Sequence, residues 1–431
     1  MGTRMKSATP KVLHEICGRP MVWYVLRSLR DAGIDDIVLV TNPELDAHAA
    51  ALGVASVVQH EQLGTGHAVK VALEAMPVHA GGRIVVAYGD MPLVPGETFR
   101  ELVDALSGAS LALVTARMGP GSNFGRIVAD AGGVRRIVEV RDATPEELAL
   151  EEMNAGIYAY DEAALRDALG RLRNENAQNE YYLTDTVADL AGGGHRVAPV
   201  AARKRDVLGV NDRTELALAR AELNARICAR HMRGGVTIVD PLTTYLEPEL
   251  TIGRDTVIYP NTSISRLSEI GEGCVVGPNA RLSAAKLGDR VTVRESVIVE
   301  SQAGDDTTIG PFAHLRGNAV LGPDVRVGNF VEVKNSTLAA GAKASHLAYL
   351  GDASVGEQSN IGAGTITANF DGTNKNRTTI GKNVRIGSNS SLVAPVEIGD
   401  DALTGAGAVV TKDVAAGERV VGNPARPLPK K

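Results

Sequence analysis

Aromatic residues, cysteines and long apolar runs are all scarce in this chain of 431 residues. Phe, Trp and Tyr make up 3% of it, and its three cysteines, Cys17, Cys228 and Cys274, lie far apart. Such cysteines argue against a disulfide framework or a zinc site, so we expect buried small side chains in a protein of the reducing cytoplasm. No apolar run approaches the roughly 18 residues of a membrane span, and no signal-peptide pattern is visible.

An excess of positive charge is lacking as well. The chain has 45 basic and 51 acidic residues, which gives a net charge of -6. We therefore expect neither a nucleic acid nor an anionic membrane as a partner. Basic residues that matter for function should act locally, on small anionic ligands. The length exceeds what one ordinary core requires and predicts two or three domains.

Glycine, by contrast, is abundant, with 47 residues, and in the second half it follows an aliphatic residue at steps that are repeatedly 6, 12 or 18. This period predicts short strands joined by corners, with three faces in a coil of roughly 18 residues. We expect glycine to stand at the corners, where a Cβ would be penalised. The alternative is a glycine-rich sandwich with chance spacing. The glycines in question are Gly253, Gly271, Gly277, Gly310, Gly322, Gly328, Gly356, Gly362, Gly381, Gly387 and Gly399.

The first ~210 residues alternate between strand and helix patterns, which predicts an α/β domain with a mostly parallel sheet. Asp90 comes just after one of the predicted strands, at the sheet edge where such domains bind ligands. Residues 212–232 carry Leu and Ala at helical spacing and predict one connecting helix. The other segments predicted are strands at 36–40, 83–88 and 111–114 and helices at 21–32 and 66–75.

The N-terminal turn Gly2-Thr3-Arg4-Met5 and the segment 10–13, which contains Lys11, form the first functional pattern. A glycine turn with nearby cations can hold a triphosphate through backbone N–H groups and neutralised charge. Together with Asp90 and the polar run at 59–67, this pattern favours a nucleotide site.

An ordered series of motifs resembles the bacterial family of bifunctional N-acetylglucosamine-1-phosphate uridylyltransferases and glucosamine-1-phosphate acetyltransferases. The resemblance runs over essentially the whole chain. It implies a Rossmann-like uridylyltransferase domain at 1–211, a helical linker at 212–235 and a left-handed parallel β-helix acetyltransferase domain at 236–431. The motifs lie at 2–5, 10–14, 61–68, 88–90, 123–127, 137–139, 154–157, 180–185, 209–211 and 345–352.

The resemblance also implies two sets of site residues. In the first domain, Arg4 and Lys11 would meet the phosphates of UTP and act in catalysis, while Asp90 and Asn211 would hold Mg²⁺. The residues that would bind the nucleotide sugar are Lys11, Gln59, Gly64, Thr65, Gly125, Glu139, Asn154 and Asn211.

In the second domain the family's motif makes His346 the base that takes a proton from the attacking amine. UTP and acetyl-CoA would be co-substrates, and the family's homotrimer would place each acetyl-transfer site between neighbours. The acceptor sugar phosphate would bind Arg316, Lys334, Tyr349, Asn360 and Lys375, and acetyl-CoA would bind Ala363, Asn369, Phe370, Ser388 and Ala406.

Three departures from the family's pattern stand out. Phe370 replaces a frequent Tyr, and Ala155 replaces a frequent Thr. The family's apolar strand before the glycine loop is missing here, so we expect a true start upstream and weak uridylyl transfer from the chain as given.

Three other functions remain open from the sequence. The first is an acetyltransferase with an inert nucleotide domain. The second is another sugar nucleotidyltransferase with a regulatory β-helix, and the third is a scaffold without activity.

Overall fold

The structure is a computed structural model that describes residues 3–119 and 122–428. The chain divides into two compact units, Met1–Leu223 and Asn224–Lys431. Gly2, which the sequence assigns to the phosphate-binding turn, lies outside the described residues.

The first unit alternates strands and helices, as the sequence predicts. Its α-helices are Met21–Asp31, Pro43–Ala49, Thr65–Ala75, Gly96–Asp104, Pro145–Leu148, Glu162–Arg171 and Asp185–Gly192, and Arg213–Arg233 begins in this unit. Short 3-10 helices cover Thr3–Met5, Lys11–Leu13, Ala50–Leu52 and Lys204–Asp206. The strands are Glu15–Ile16, Arg19–Pro20, Val38–Thr41, Ala55–Val58, Arg83–Val86, Leu111–Arg117, Arg126–Asp130, Gly133–Val138, Glu152–Asp161 and Val197–Ala201.

The expectation of a mostly parallel sheet is wrong for the six-stranded sheet at the centre of this unit. Only Val197–Ala201 and Leu111–Arg117 pair in parallel within it. The ten-residue strand Glu152–Asp161 runs the other way and pairs antiparallel with three neighbours. A hairpin of Arg126–Asp130 and Gly133–Val138 completes the sheet. Hairpins and a reversed strand of this kind have no signature in the helix-strand alternation that the sequence offers.

Helices cover both faces of this sheet. On one side Met21–Asp31 and Gly96–Asp104 contribute Val25, Phe99 and Leu102 to a buried cluster. On the other side lie apolar residues of Thr65–Ala75, Glu162–Arg171 and Asp185–Gly192. Burying apolar side chains on both sides of a sheet is what fixes such a layered unit.

A cavity of about 930 Å³ lies in the first unit, between strands Val38–Thr41 and Arg83–Val86. Val38–Thr41 pairs with Ala55–Val58, and Arg83–Val86 pairs with Glu152–Asp161. Among the described residues the two strands are not paired with each other. Helices Met21–Asp31 and Thr65–Ala75 supply much of the apolar lining.

The second unit is the coil of short strands that the period of six predicts, with the three parallel sheets of a left-handed β-helix. Face A contains Thr237–Ile238, Val257–Ile258, Val275–Val276, Thr292–Val293, Thr308–Ile309, Arg326–Asn329, Lys343–His346, Asn360–Ile361, Arg385–Ile386, Leu403–Thr404 and Arg419–Val421, and ends on the antiparallel Arg426–Pro427. Face B contains Tyr245–Leu246, Ser263–Ile264, Arg281–Ser283, Val297–Val299, His314–Arg316, Glu332–Lys334, Tyr349–Gly351, Ile366–Ala368, Ser391–Val393 and Val409–Val410. Face C contains Thr251–Ile252, Glu269–Ile270, Lys286–Leu287, Gln302–Ala303, Val320–Leu321, Thr337–Leu338, Ala353–Val355, Thr378–Ile380 and Val396–Ile398.

One coil is longer than the others because it carries a polar insertion. Ser263 pairs with Arg281 on the next coil, whereas Ala353 pairs with Thr378. The additional residues form a loop that Phe370 and Lys375 close with an antiparallel bridge.

The explanation predicted for the repeated glycines is wrong for most of them. Of the eleven, only Gly277 and Gly310 have positive φ. At Gly328, a Cβ would lie 2.0 Å from the carbonyl oxygen of Ser345 on the next coil. Glycine is therefore needed because successive coils approach closely. The left-handed corner conformation falls two residues later, for example at Asp255, after Gly253, and Asp324, after Gly322.

The predicted connecting helix is observed as Arg213–Arg233, and the division of the chain into two units falls within its residues. No helix in the described ranges combines the length and apolarity that crossing a membrane would take.

Candidate active sites

Lys11, Asp90 and Asn211 meet in the first unit, although they are far apart in sequence. The Lys11 ammonium donates hydrogen bonds to Asp90 Oδ2 and, at 3.3 Å, to Asn211 Oδ1. Lys11 and Asp90 are both about one quarter exposed. Two oxygen atoms thus converge on one accessible cation.

Local structure holds each member of this trio. Lys11 opens the 3-10 helix Lys11–Leu13. The backbone carbonyl of Asp90 accepts from Val210 N at 2.9 Å, which brings the segment before Asn211 alongside. Asn211 N in turn donates to Glu215 Oε2 at 2.6 Å, in the first turn of helix Arg213–Arg233.

The segment Gln59–Thr65 forms a second part of the site. Gln59 Nε2 donates to the carbonyl of Gly64 at 3.2 Å and lies 3.0 Å from His67 Nδ1. Gly64 has φ +106, and a Cβ there would lie 2.7 Å from the carbonyl oxygen of Tyr181. Only glycine fits this turn. Thr65 begins the following helix and accepts from Leu183 N at 3.1 Å.

Gly125, Glu139 and Asn154 form a third part. Asn154 N donates to the Gly125 carbonyl at 2.9 Å. A Cβ on Gly125 would lie 3.5 Å from Glu139 Oε1. Asn154 is buried, its Nδ2 donates to Tyr158 Oη at 2.6 Å, and its Oδ1 accepts from Gly156 N at 3.0 Å. Within the described ranges these two bonds leave one N–H of its amide without a partner.

Tyr88, which the sequence reasoning did not assign to the site, links these parts. Burial, together with the charges of Glu139 and Asp90, raises the pKa of Tyr88 to about 12. A hydrogen bond with Thr65 acts in the opposite direction and lowers this pKa. The phenol is therefore a neutral donor at physiological pH. Burial likewise raises the pKa of Glu139, opposed by a hydrogen bond from Thr184 and reinforced by Asp142 and Asp185.

Arg4 is not joined to these groups. It is exposed in the turn Thr3–Met5, and none of the side-chain contacts among the described residues connects it to Lys11, Asp90 or Asn211.

The Asp90 and Asn211 oxygens fit a hard cation because they already converge on one. The described residues hold no group of three or more His, Cys, Asp and Glu side chains placed for a metal. Mg²⁺ usually takes one or two protein oxygens and completes its shell with phosphates and water, so the pair is chemically sufficient.

The second unit aligns three of the candidate acceptor residues, Arg316, Lys334 and Tyr349, on face B, whereas Asn360 lies on face A and Lys375 in the inserted loop. Arg316 pairs in register with Lys334, and Glu332 pairs with Tyr349. Arg316 also forms an ion pair with Glu332, with Nε–Oε1 at 2.8 Å. Parallel strands place residues of one register in a row. The segments 330–334 and 345–352 are therefore neighbours in space.

His346 ends a strand of face A, three residues before Tyr349 begins the face B strand of the same coil. Its Nδ1 lies 2.7 Å from Asn329 Oδ1. Asn360 is on the coil that follows His346, and it pairs with Lys343.

Asp352 is a second group that the sequence reasoning did not assign. It is buried and accepts from Asn335 Nδ2 at 2.5 Å and from Asn369 Nδ2. Burial alone would raise the pKa of Asp352, but these hydrogen bonds and the charges of Lys334 and Lys375 hold it below its usual range. A carboxylate between these two lysines balances their charge.

The candidate acetyl-CoA residues Ala363, Ser388 and Ala406 follow Gly362, Gly387 and Gly405 on three successive coils. Asn389 N donates to the Ala363 carbonyl at 2.6 Å, and Gly407 N donates to the Ser388 carbonyl at 2.8 Å. They form one row, whereas Phe370 lies in the inserted loop with its ring exposed.

Comparison with protein families gives three matches along the chain. Residues 1–184 match the MobA-like NTP transferase domain. Residues 242–329 match the GMPPB C-terminal domain, and residues 377–412 match the bacterial transferase hexapeptide family.

Curated relatives match nearly the whole chain. A protein of Streptomyces avermitilis called Bifunctional protein GlmU is 44% identical over 430 residues, which cover 97% of this chain and 89% of the relative. Proteins of the same name from Trichlorobacter lovleyi and Halalkalibacterium halodurans are 45% and 46% identical, cover 96% of this chain, and are each covered to 92%. Nothing in these matches specifically supports an acetyltransferase with an inert first unit.

Proposed function

The chain belongs to the GlmU family of bifunctional acetyltransferases and uridylyltransferases, and from this premise we propose how its two sites work. The first unit transfers uridylyl from UTP to N-acetylglucosamine-1-phosphate. The second acetylates glucosamine-1-phosphate with acetyl-CoA. The observation that supports the proposal is that each unit brings its own candidate residues together, Lys11 with Asp90 in the first and Arg316 with Lys334 in the second.

In the first site, Lys11 neutralises phosphate charge and Arg4 approaches from its exposed turn. Gln59, Gly64 and Thr65 hold the nucleotide, while Gly125, Glu139 and Asn154 hold the acetylated sugar. The sugar phosphate oxygen bonds to the α-phosphorus of UTP as the bond to pyrophosphate breaks. Alignment and neutralised charge are sufficient for this step, so no covalent enzyme intermediate is needed.

Asp90 and Asn211 would hold Mg²⁺, which would supply positive charge to neutralise the phosphates. Lys11 must then leave their oxygens and meet a phosphate. Its long side chain, about one quarter exposed, permits this movement.

In the second site His346 acts as base. As the sugar amine attacks the thioester carbonyl, imidazole takes its proton, the new C–N bond forms, and the C–S bond breaks. The thiolate of CoA leaves and is protonated. Arg316, Lys334, Tyr349, Asn360 and Lys375 position the sugar phosphate, and Ala363, Asn369, Phe370, Ser388 and Ala406 line the acetyl-CoA groove.

The working assembly is proposed to be a homotrimer with an acetyl-transfer site between neighbours. An apolar ridge supports it, formed by Phe312, Phe330 and Leu347 on successive coils and 54%, 57% and 60% exposed. The rings of Phe312 and Phe330 stack at 5.4 Å. Exposed apolar side chains in contact with one another mark protein interfaces.

The domains are proposed to be 1–211, 212–235 and 236–431, in a cytoplasmic protein whose partners are small molecules. This location fits the buried thiols of Cys228 and Cys274.

Two variants test whether each site supports its own reaction independently of the other. Asp90→Asn should abolish UTP-dependent pyrophosphate release, because a charged metal ligand is lost, and should leave acetylation nearly intact. His346→Ala should lower acetylation by roughly 10²- to 10⁴-fold and spare pyrophosphate release. Both rates are measured on each purified variant.

Each variant is the matched control for the other. Asp104→Asn, an exposed carboxylate at the end of helix Gly96–Asp104, should change neither rate. Normal acetylation by His346→Ala would refute the assignment of the base.

A further inference from the structure

We propose that Asn329 is a positioning residue for His346, which holds the imidazole proton on Nδ1 and leaves the lone pair of Nε2 directed at the substrate amine. The inference rests on the proposed role of His346 as the base. It adds the group that decides which ring nitrogen can act.

The contact itself carries the inference. Asn329 Oδ1 lies 2.7 Å from His346 Nδ1. Asn329 is the only hydrogen-bond partner of the His346 ring within the described part of the chain. An amide oxygen can only accept, so Nδ1 must carry the hydrogen, and in neutral imidazole Nε2 is then the unprotonated nitrogen.

The backbone fixes Asn329 against the histidine. Asn329 and His346 are partners in the parallel register of two face A strands. Leu347 N donates to the Asn329 carbonyl at 2.9 Å. Gly328 lets the coils approach so closely that a Cβ there would meet Ser345. Asn329 therefore contacts the histidine segment through both its main chain and its side chain.

An amide differs from a carboxylate in this position. Both accept from Nδ1, but a carboxylate would also stabilise the imidazolium and raise its pKa. An amide fixes the proton without adding charge.

The test uses three variants of the full chain. Asn329→Leu keeps the size of the side chain but removes the acceptor. Asn329→Asp keeps the acceptor and adds charge. Arg326→Gln, exposed at the start of the same strand, is the matched control. For each one, kcat and KM for glucosamine-1-phosphate and acetyl-CoA are measured from pH 5 to 9, together with Tm.

Asn329→Leu should lower kcat for acetylation by about 10- to 100-fold with both KM values nearly unchanged, because the ring can then carry its proton on Nε2. Asn329→Asp should recover most of the rate above neutral pH. The acidic limb of its kcat/KM profile should move up by about one pH unit or more, since a raised imidazolium pKa delays the appearance of the base. Arg326→Gln should behave as the parent protein.

The tautomer is measured directly by NMR correlation of ring nitrogens and carbon-bound protons in ¹⁵N-histidine protein. The chain has nine histidines, and the His346 signals are those that His346→Ala removes. The parent should show its proton on Nδ1, and Asn329→Leu should show a mixture or the other tautomer.

A proton on Nε2 in the parent would overturn the inference, as would a normal kcat in Asn329→Leu. An unshifted profile in Asn329→Asp would do the same, and it decides the question if the leucine variant fails to fold. If His346→Ala acetylates normally, the proposed base is wrong, whereas the NMR result still reports on the contact with Asn329.

Discussion

The Lys11 ammonium occupies the position proposed for the metal ion in the first site. It is bonded to Asp90 and Asn211, the two oxygen ligands proposed for Mg²⁺. Ammonium and metal cannot share those oxygens at the same distance, so they compete when no nucleotide is present. A triphosphate resolves the competition by offering Lys11 another anion.

Lys11→Met should therefore bind Mn²⁺ alone more tightly, by roughly threefold to tenfold, the equivalent of an ion pair worth about 1 kcal/mol. The same variant should lose uridylyl transfer, because phosphate charge is left uncompensated. Calorimetry or electron paramagnetic resonance without UTP measures the first effect. Lys70→Met, an exposed change on helix Thr65–Ala75, is the control, and weaker Mn²⁺ binding by Lys11→Met would contradict the competition.

Among single residues, the sequence identifies functional candidates with distinctive chemistry more readily than the residues that contact them. The motifs identify Lys11, Asp90 and His346 as candidates. They assign no role to Tyr88, Asp352 or Asn329, because the contacts of these residues are made by the fold. Asn329 lies one coil from His346, and only strand register reveals their contact.

Among the elements, strands Val38–Thr41 and Arg83–Val86 stand out because the cavity of about 930 Å³ separates them. Ala72 of helix Thr65–Ala75 lines that space. Ala112, in strand Leu111–Arg117, is fully buried in the packed core. The same enlargement should have opposite effects at these two alanines.

Ala72→Leu should raise the Tm of the first unit, because its added carbons fill open space, with a gain of about 0.5–2 kcal/mol. Ala112→Leu should lower Tm by overpacking, with a loss of about 1–3 kcal/mol. Scanning calorimetry of both variants measures the contrast. A lower Tm for Ala72→Leu would mean that the cavity is not available to a larger side chain.

In the β-helix the periodic pattern predicts the element, but it does not explain why particular residues are needed there. The six-residue spacing is a property of the sequence, so the coil could be predicted without a structure. The reason for Gly328 could not, since it depends on the approach of Ser345 from the next coil. The reversed strand Glu152–Asp161 was missed because strand direction leaves no mark on local apolar patterning.

For the whole molecule, the apolar ridge predicts association. If the chain assembles as the proposed trimer, Phe312→Ser together with Phe330→Ser should convert it into smaller species and lower acetylation, while uridylyl transfer persists. The reason is that Leu347, a member of the ridge, is next to His346 in the chain. Analytical ultracentrifugation and both assays measure the outcome.

Leu267→Ser is the control, because Leu267 is also exposed and has positive φ but lies outside the ridge. A parent protein that sediments as an active monomer would contradict the assembly.

The division into two units could be predicted from sequence because a glycine repeat replaces the helix-strand alternation beyond the connecting helix. The pairing of two chemistries in one chain is the central claim, and one coupled reaction tests it most directly. The purified chain is given glucosamine-1-phosphate, acetyl-CoA, UTP and Mg²⁺, and free CoA thiol and pyrophosphate are followed together. We predict that both appear, one pyrophosphate for each CoA, with UDP-N-acetylglucosamine as the product. Release of CoA without pyrophosphate would contradict the account.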